Sequence, residues 1–227
     1  MRENIDLILA RASLAAYQNK AKVQEALGAE KCLSILDERT GTECFIASTE
    51  TELFIVFKGA KAKTDFLTDL LSFKTVAQLY HVHWGFFSAY VSVQHHITKA
   101  ICSNLGKKIY FTGHGVGGAL AAVGGLLTHA PHKEIVTFGQ PRITDYKGAA
   151  ELSGMMYRRY VNHSDIVPKV PRLRYSHGGD CYYFTKDRTL LINPPKKVQC
   201  KDRWLSFGGE HSMETYLALI EEHGARQ

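Results

Sequence analysis

No two cysteines in this chain are spaced Cys-x-x-Cys, and no His-Glu-x-x-His occurs among its 11 histidines. The first absence argues against zinc ribbons and thioredoxin-like sites; the second excludes the helical zinc motif of metallopeptidases. His81 and His83 are two apart and His95 and His96 adjacent, and neighbours on a helix point to different sides. Neither a metal nor another cofactor is expected. The five cysteines, Cys32, Cys44, Cys102, Cys181 and Cys200, are odd in number and scattered. Reduced thiols are therefore the expectation, with one pairing such as Cys181 to Cys200 left open. No window reaches the roughly 18 apolar residues of a membrane span. Residues 1–6 begin no secretory signal, because Asp6 and Arg11 break the short apolar run. A cytoplasmic protein is expected, with secretion left open should a leader precede this sequence. Repeats, low-complexity tracts and Pro/Gly/Ser linkers are also missing, so residues 1–227 are expected to form one domain.

What is present is ordinary for a globular chain: 45% hydrophobic and 22% charged residues in a length of 227. That is enough to bury a large core and excludes extensive disorder. The net charge is +6, with basic residues gathered late, at Arg158, Arg159, Arg172, Arg174, Lys196 and Lys197 among others. Such a stretch suits an anionic lipid surface, nucleic acid or simply solvated loops. No nucleic-acid motif accompanies it, and no nucleic-acid partner is expected.

Apolar residues recur at helical intervals over 4–17, and short β-like runs follow at 32–36, 44–47 and 53–57. Residues 85–105 predict a long amphipathic helix with Phe86, Tyr90, Val93, Ile97 and Ile101 on one face. A buried strand at 108–112 leads to a small-residue helix at 119–128. A strand at 134–138, a helix around 145–153, a strand at 156–161 and a final helix over 211–222 complete the alternation. This order predicts an α/β protein with a mostly parallel central sheet and helices on both faces. In such sheets functional groups sit beyond the carboxyl ends of the strands. Segments 58–60, 113–117 and 162–165 occupy that kind of place.

The strand at 108–112 runs into Gly113-His114-Gly115-Val116-Gly117-Gly118 and leaves as a helix. A strand, Gly-x-Ser-x-Gly and a helix in succession form a nucleophile elbow, whose flanking glycines allow a turn too sharp for side chains. Here Gly115 stands where the serine belongs. It removes the only atom that could form an acyl-enzyme. It also relieves backbone strain, which for a non-glycine residue at positive φ amounts to about 1–3 kcal/mol. Taken alone, the same glycines equally suit a generic tight turn. A P-loop is excluded by the missing Lys-[Ser/Thr], and the spacing and missing acidic partner argue against a dinucleotide fingerprint.

The surrounding segments favour the elbow. Phe54-Ile55-Val56-Phe57-Lys58-Gly59-Ala60, Val82-His83-Trp84-Gly85-Phe86, the stretch from Gly113 to Ala119, Thr137-Phe138-Gly139-Gln140-Pro141-Arg142, Val161-Asn162-His163-Ser164-Asp165-Ile166-Val167-Pro168 and His177-Gly178-Gly179 stand in order, followed by His211. Over residues 12–219 the chain resembles the class 3 (fungal-type) lipase family. The resemblance implies an α/β-hydrolase fold with a lid helix. It also implies a triad in the chain order nucleophile, Asp, His, kept here by position 115, Asp165 and His211.

In that scheme Asp165 accepts a hydrogen bond from His211 and fixes its tautomer, and His211 is the general base. Considered singly, a histidine opening a helix is more often a cap or surface group. The implied oxyanion donors are the backbone N–H groups of Ala60 and Val116. Ala60 lacks the hydroxyl that many relatives place there, and Lys58 replaces the usual arginine, losing a planar fork. Residues 62–73 put Phe66, Leu67, Leu70 and Leu71 on one stripe, opposite Thr64, Asp65, Thr68 and Asp69. Periodicity alone describes a core-facing helix; the resemblance makes it a lid over an acyl-binding groove, hiding an apolar patch.

Two main functions follow, and a lesser third. One is a lipase or carboxylic-ester hydrolase scaffold for lipid or acyl esters that lacks its catalytic serine. The other is a natural pseudoenzyme serving as a lipid-binding or protein-interaction module, favoured by the three departures at Lys58, Ala60 and Gly115. A third is slow hydrolysis by water activated at His211. The expected partner is a lipid or small acyl ester, with transient contact to a membrane or lipid interface. Acyl-chain length and oligomeric state are not set by the sequence.

Overall fold

Strands that are buried over nearly their whole length can only sit in a sheet covered on both faces, and this chain has four of them in the middle of its order. They are β3 (Glu52–Phe57), β6 (Lys108–His114), β7 (Lys133–Phe138) and β8 (Met156–Asn162). In the computed structural model, which describes residues 4–59, 75–77, 80–201 and 209–224, these strands pair in parallel as β3–β6–β7–β8. β9 (Asp180–Phe184) continues the parallel run. β1 (Lys31–Asp37) and β2 (Thr42–Ser48) add antiparallel strands at one edge, and β10 (Leu190–Ile192) does so at the other. The eight strands lie in the order β1-β2-β3-β6-β7-β8-β9-β10. A separate hairpin joins β4 (Thr75–Ala77) to β5 (His81–His83).

Helices cover both faces, as the strand burial requires. On one face α3 (Trp84–Cys102) lays Phe86, Tyr90, Val93 and Ile97 against the sheet, a spacing of three and four residues that keeps one stripe inward. Beside it packs α4 (Val116–Leu127), whose small residues are almost all buried. Leu152 of α5 (Tyr146–Ser153) joins the same core. On the other face α1 (Ile5–Ala15), α2 (Lys20–Leu27) and α7 (Met213–Gly224) enclose Leu9, Val23, Phe54, Phe138, Tyr216 and Ile220. A further short helix, α6, spans Lys196–Lys201. No helix among the described residues is long and apolar enough to cross a membrane.

At the amino ends of β6, β7 and β8 a charged clamp ties α1 to the sheet. Asp6, 5% exposed, accepts from Arg158 Nε at 3.0 and 2.8 Å, from Arg158 Nη2 at 2.7 Å and from the Tyr160 hydroxyl at 2.7 Å. The same guanidinium donates to Glu134 at 2.9 Å, and Lys108 pairs with Glu134 from the other side. Charges this deep persist because each finds several partners.

The alternation predicted from the sequence is present, with boundary shifts of a few residues. α7 begins at Met213, and His211 lies just before it in a 3-10 turn over Gly209–His211, so the histidine precedes the helix rather than opening it. Ala60 and the stripe Phe66, Leu67, Leu70 and Leu71 lie outside the described residues.

Candidate active site

Three loops at the carboxyl ends of the parallel strands build the site. β6 ends at His114, and α4 opens at Val116. Between them Gly115 turns the chain with φ 56° and ψ −117°, a left-handed conformation that glycine adopts without strain. The turn is held against β3 by close backbone approach: a Cβ on Gly117 would fall 2.3 Å from the Phe57 carbonyl oxygen. Because no side chain intervenes, the Lys58-Gly59 segment lies directly beside the elbow. Val116 is the first residue of α4, so its N–H has no acceptor within the helix.

Asp165 follows β8 and is fully buried. Its Oδ1 accepts the Val167 backbone N–H at 2.9 Å. Its Oδ2 accepts from His211 Nδ1 at 2.8 Å and from the Tyr216 hydroxyl at 2.7 Å. A carboxylate can only accept, so the shared proton sits on Nδ1 and the other ring nitrogen, Nε2, is the acceptor of the neutral imidazole. A Cβ added at Gly115 would lie 3.1 Å from that Nε2 and 3.5 Å from Cε1. Any side chain at position 115 is therefore aimed at the basic nitrogen of His211.

A second imidazole braces the first. His114 Nε2 lies 2.6 Å from the His211 carbonyl oxygen, which can only accept, so Nε2 carries the proton. His114 Nδ1 must then accept from the Tyr17 hydroxyl, 2.8 Å away. The two imidazole rings lie 4.5 Å apart. Burial holds the His114 pKa well below the ordinary histidine range; the neighbouring His211 adds to this, and the bond to the His211 carbonyl opposes it. Burial, with help from Glu214, pushes the Tyr17 hydroxyl up and keeps it a donor. Burial and Asp165 do the same for Tyr216.

The loop beyond Asp165 is fixed by two guanidinium groups and an imidazole that donate to its backbone. Arg142 Nη1 reaches the Pro171 carbonyl at 3.2 Å, Arg159 Nε the Gly178 carbonyl at 2.7 Å, and His177 Nε2 the Pro168 carbonyl at 2.6 Å. Lys58 is occupied elsewhere: its ammonium pairs with Glu43, in a contact where both side chains are largely shielded. No group of three His, Cys, Asp or Glu side chains among the described residues could hold a metal ion.

Of the residues singled out in the sequence, Gly115, Val116, Asp165 and His211 converge. Tyr216 and Tyr17 were not anticipated. Tyr216 falls in the buried stripe Met213, Tyr216, Leu219 and Ile220, where periodicity reads it as one more core residue. Only its position five residues beyond His211 hints otherwise. Tyr17 follows α1 with no pattern that could signal its hydroxyl's partner.

A mostly parallel sheet with an elbow after β6, a buried acid after β8 and a histidine just before α7 has the α/β-hydrolase fold, and solved structures agree. Lipase II from Rhizopus niveus superposes with a TM-score of 0.80 at 21% identity, covering 91% of each chain. The triacylglyceride lipase of Rhizomucor miehei gives 0.72 at 23% identity, covering 83% of this chain and 82% of that one. Residues 54–175 match the family model for lipase (class 3). The chain belongs to the class 3 lipase family. Among curated relatives, the Rhizomucor miehei lipase is 29% identical over 179 residues, 70% of this chain and 47% of its own length. The Rhizopus oryzae lipase is 30% identical over 136 residues, 52% and 34% of the respective chains. The chain thus spans about half or less of these relatives.

Proposed function

We propose that this protein is a lipase-type carboxylic-ester hydrolase scaffold for lipid or acyl esters, with glycine at the nucleophile position. One observation carries the proposal: the position that a Cβ on Gly115 would take lies 3.1 Å from His211 Nε2, and the other ring nitrogen of His211 donates to buried Asp165 at 2.8 Å. A serine in that place would have its proton acceptor in reach, and the acceptor would already be in the correct tautomer. Asp165 is the orienting and charge-stabilising acid, His211 the base. The Val116 backbone N–H, free at the start of its helix, is an oxyanion donor; the other donor expected from the sequence, Ala60, lies outside the described residues. The ligand is a lipid or small acyl ester, met in transient contact with a lipid interface. The four thiols of Cys32, Cys44, Cys102 and Cys181 are free, which supports a reducing, cytoplasmic setting.

The test is Gly115→Ser, assayed on short- and long-chain p-nitrophenyl esters and on triglyceride emulsions. Hydrolysis should rise by at least ~10³-fold over the parent chain, well inside the roughly 10⁶-fold that loss of a triad nucleophile costs. A folded Ser variant that stays at the parent rate would overturn the proposal.

A second function, a pseudoenzyme that binds lipid or a protein partner, is favoured by Lys58. Its ammonium is committed to Glu43 in a largely shielded pair, in the place where the resemblance expects an arginine. For such a module Gly115→Ser stays silent, while a non-hydrolysable long-chain ether lipid binds both forms equally.

A further inference from the structure

We propose that the site, as it stands with Gly115, transfers acyl groups directly, with no acyl-enzyme, from an ester to a small hydroxyl acceptor, water or an alcohol the size of methanol. The acceptor is held by His211 Nε2. This rests on the preceding assignment of position 115, Asp165 and His211 as a hydrolase centre, and it adds the acceptor that takes the place of the serine hydroxyl.

The geometry of the imidazole carries it. His211 is held from three sides: Nδ1 donates to Asp165 at 2.8 Å, its carbonyl accepts from His114 at 2.6 Å, and the His114 ring packs 4.5 Å away. Nε2 is the remaining polar atom of the ring, an acceptor without a hydrogen-bond partner among the described residues. What borders the ring is glycine on two sides. A Cβ at Gly115 would lie 3.1 Å from Nε2, and a Cβ at Gly139, which has φ 60°, would lie 3.0 Å from Cε1. The base is therefore fixed, correctly protonated and flanked by residues without side chains.

Distances decide what fits. The Gly115 Cα is within about 4.6 Å of Nε2, the limit set by the 3.1 Å contact and one carbon–carbon bond. An oxygen atom needs about 2.8 Å to Nε2 for a hydrogen bond and roughly 3.3 Å to Cα for van der Waals contact. Those three lengths close a triangle, so a water or alcohol oxygen can rest beside Gly115 while bonded to Nε2. It stands slightly further out than a covalently attached serine oxygen, on the side that a substrate must approach. Adding a methyl group at position 115 closes that place. Water and methanol are the smallest acceptors that supply such an oxygen, and among the described residues beyond its chain neighbours only the His211 ring lies within 4 Å of a Cβ at position 115.

The step balances without other reagents. The acceptor O–H gives its proton to Nε2 as its oxygen forms a bond to the ester carbonyl carbon. The carbonyl electrons become an oxyanion facing the Val116 backbone N–H. Collapse breaks the bond to the leaving oxygen, which takes the proton from Nε2. Ester and water give acid and alcohol; ester and methanol give methyl ester and alcohol. No acyl-enzyme forms, because Gly115 has no atom to carry it.

That last point provides the test. When two acceptors compete for a common acyl-enzyme, the ratio of their products is independent of the group that left. In a direct transfer the leaving group is still attached, and the ratio changes with it. The Gly115 protein is incubated with p-nitrophenyl and phenyl butyrate in about 1 M methanol, and butyrate and methyl butyrate are quantified. The proposal expects both products above background, with a methyl ester to acid ratio that differs between the two esters. Both products should fall about tenfold or more in Gly115→Ala and reach background in His211→Ala and His211→Gln, each confirmed folded by circular dichroism. Gly115→Ser should hydrolyse fast with the same product ratio for both esters. A product rate unchanged in His211→Ala and His211→Gln, or undiminished in Gly115→Ala, overturns the direct transfer while an active Gly115→Ser leaves the hydrolase assignment standing. A silent Gly115→Ser overturns that assignment itself.

Discussion

Acid should destabilise this protein well before its carboxylates protonate, because two imidazoles are held neutral by the fold. Burial holds the His114 pKa well below the usual value, with His211 adding to it and the bond to the His211 carbonyl opposing. Burial likewise lowers His177, with Arg159 and Arg142 adding to it and the bond to the Pro168 carbonyl opposing. In the unfolded chain both rings take up protons near pH ~6.5. Below that pH the unfolded state binds protons that the folded state refuses, so stability is intact above about 6.5 and falls as pH drops. Each fully refused proton removes about 1.4 kcal/mol per pH unit, so two histidines remove up to roughly 2.7 kcal/mol between pH 7.5 and 5.5. For a chain of this size that is a fall of about 5–10 °C in Tm. Glu134, whose pKa is lowered by its bonds to Lys108 and Arg158 against the opposing effect of burial, loses its charge only further down. His177 is partly exposed at its edge, so His114 should carry the larger share. The assay is urea unfolding followed by circular dichroism at pH 7.5, 6.5 and 5.5, on the parent chain and on His114→Gln and His177→Gln singly and together. The double variant should be less stable at pH 7.5 but nearly flat across the range. A parent chain equally stable at pH 7.5 and 5.5, or a double variant with the parent's slope, would refute the neutral-histidine reasoning.

Three substitutions test the scaffold. Gly115→Ser should lower stability by about 1–3 kcal/mol, because its φ of 56° strains any residue with a Cβ; a thermal melt that rises instead contradicts the elbow geometry. Arg158→Ala should remove about 3–5 kcal/mol, since Asp6 and Glu134 would keep their charges in a site only 7% and 4% exposed; chemical denaturation reads this directly, and a loss under 1 kcal/mol would show that water solvates the clamp. Tyr216→Phe should lose about 1–3 kcal/mol, because it strips a donor from Asp165 and orphans the Asn162 N–H, which lies 3.0 Å from the hydroxyl. In a Gly115→Ser background the same change should lower kcat more than it alters KM; an effect on KM alone would remove Tyr216 from the positioning of Asp165.

The central sheet was legible because its strands are near-continuous apolar runs and the intervening helices keep their period. α2 was not, since only Val23 and Leu27 of its eight residues are buried; the left-handed Gly28 that ends it is plain in retrospect. β9 and β10 were missed for a different reason: Asp180, Asn193 and the tyrosines between them give no clean alternation, and β9 belongs to the sheet through its parallel pairing with β8. Position 115, Asp165 and His211 were legible from motif order. Their supports were not, because Tyr17, His114 and Tyr216 act through hydroxyl and ring hydrogen bonds between parts of the chain 51 to 97 residues apart. A sequence pattern records which residues face inward; it holds no record of which polar atoms meet there.

The first helix reaches from the foot of the sheet to the loop that carries His114 and Gly115. Asp6 is bolted at one end by Arg158 and Tyr160, and Tyr17, just past the other end, grips His114. Eleven helical residues span about 16 Å, so α1 works as a strut anchored toward opposite ends of the parallel strands. Loosening the lower anchor frees the upper one, and the ring that steadies the His211 backbone drifts with it. A change at residue 6, far from any substrate, should therefore be felt first as a softened imidazole at the opposite end.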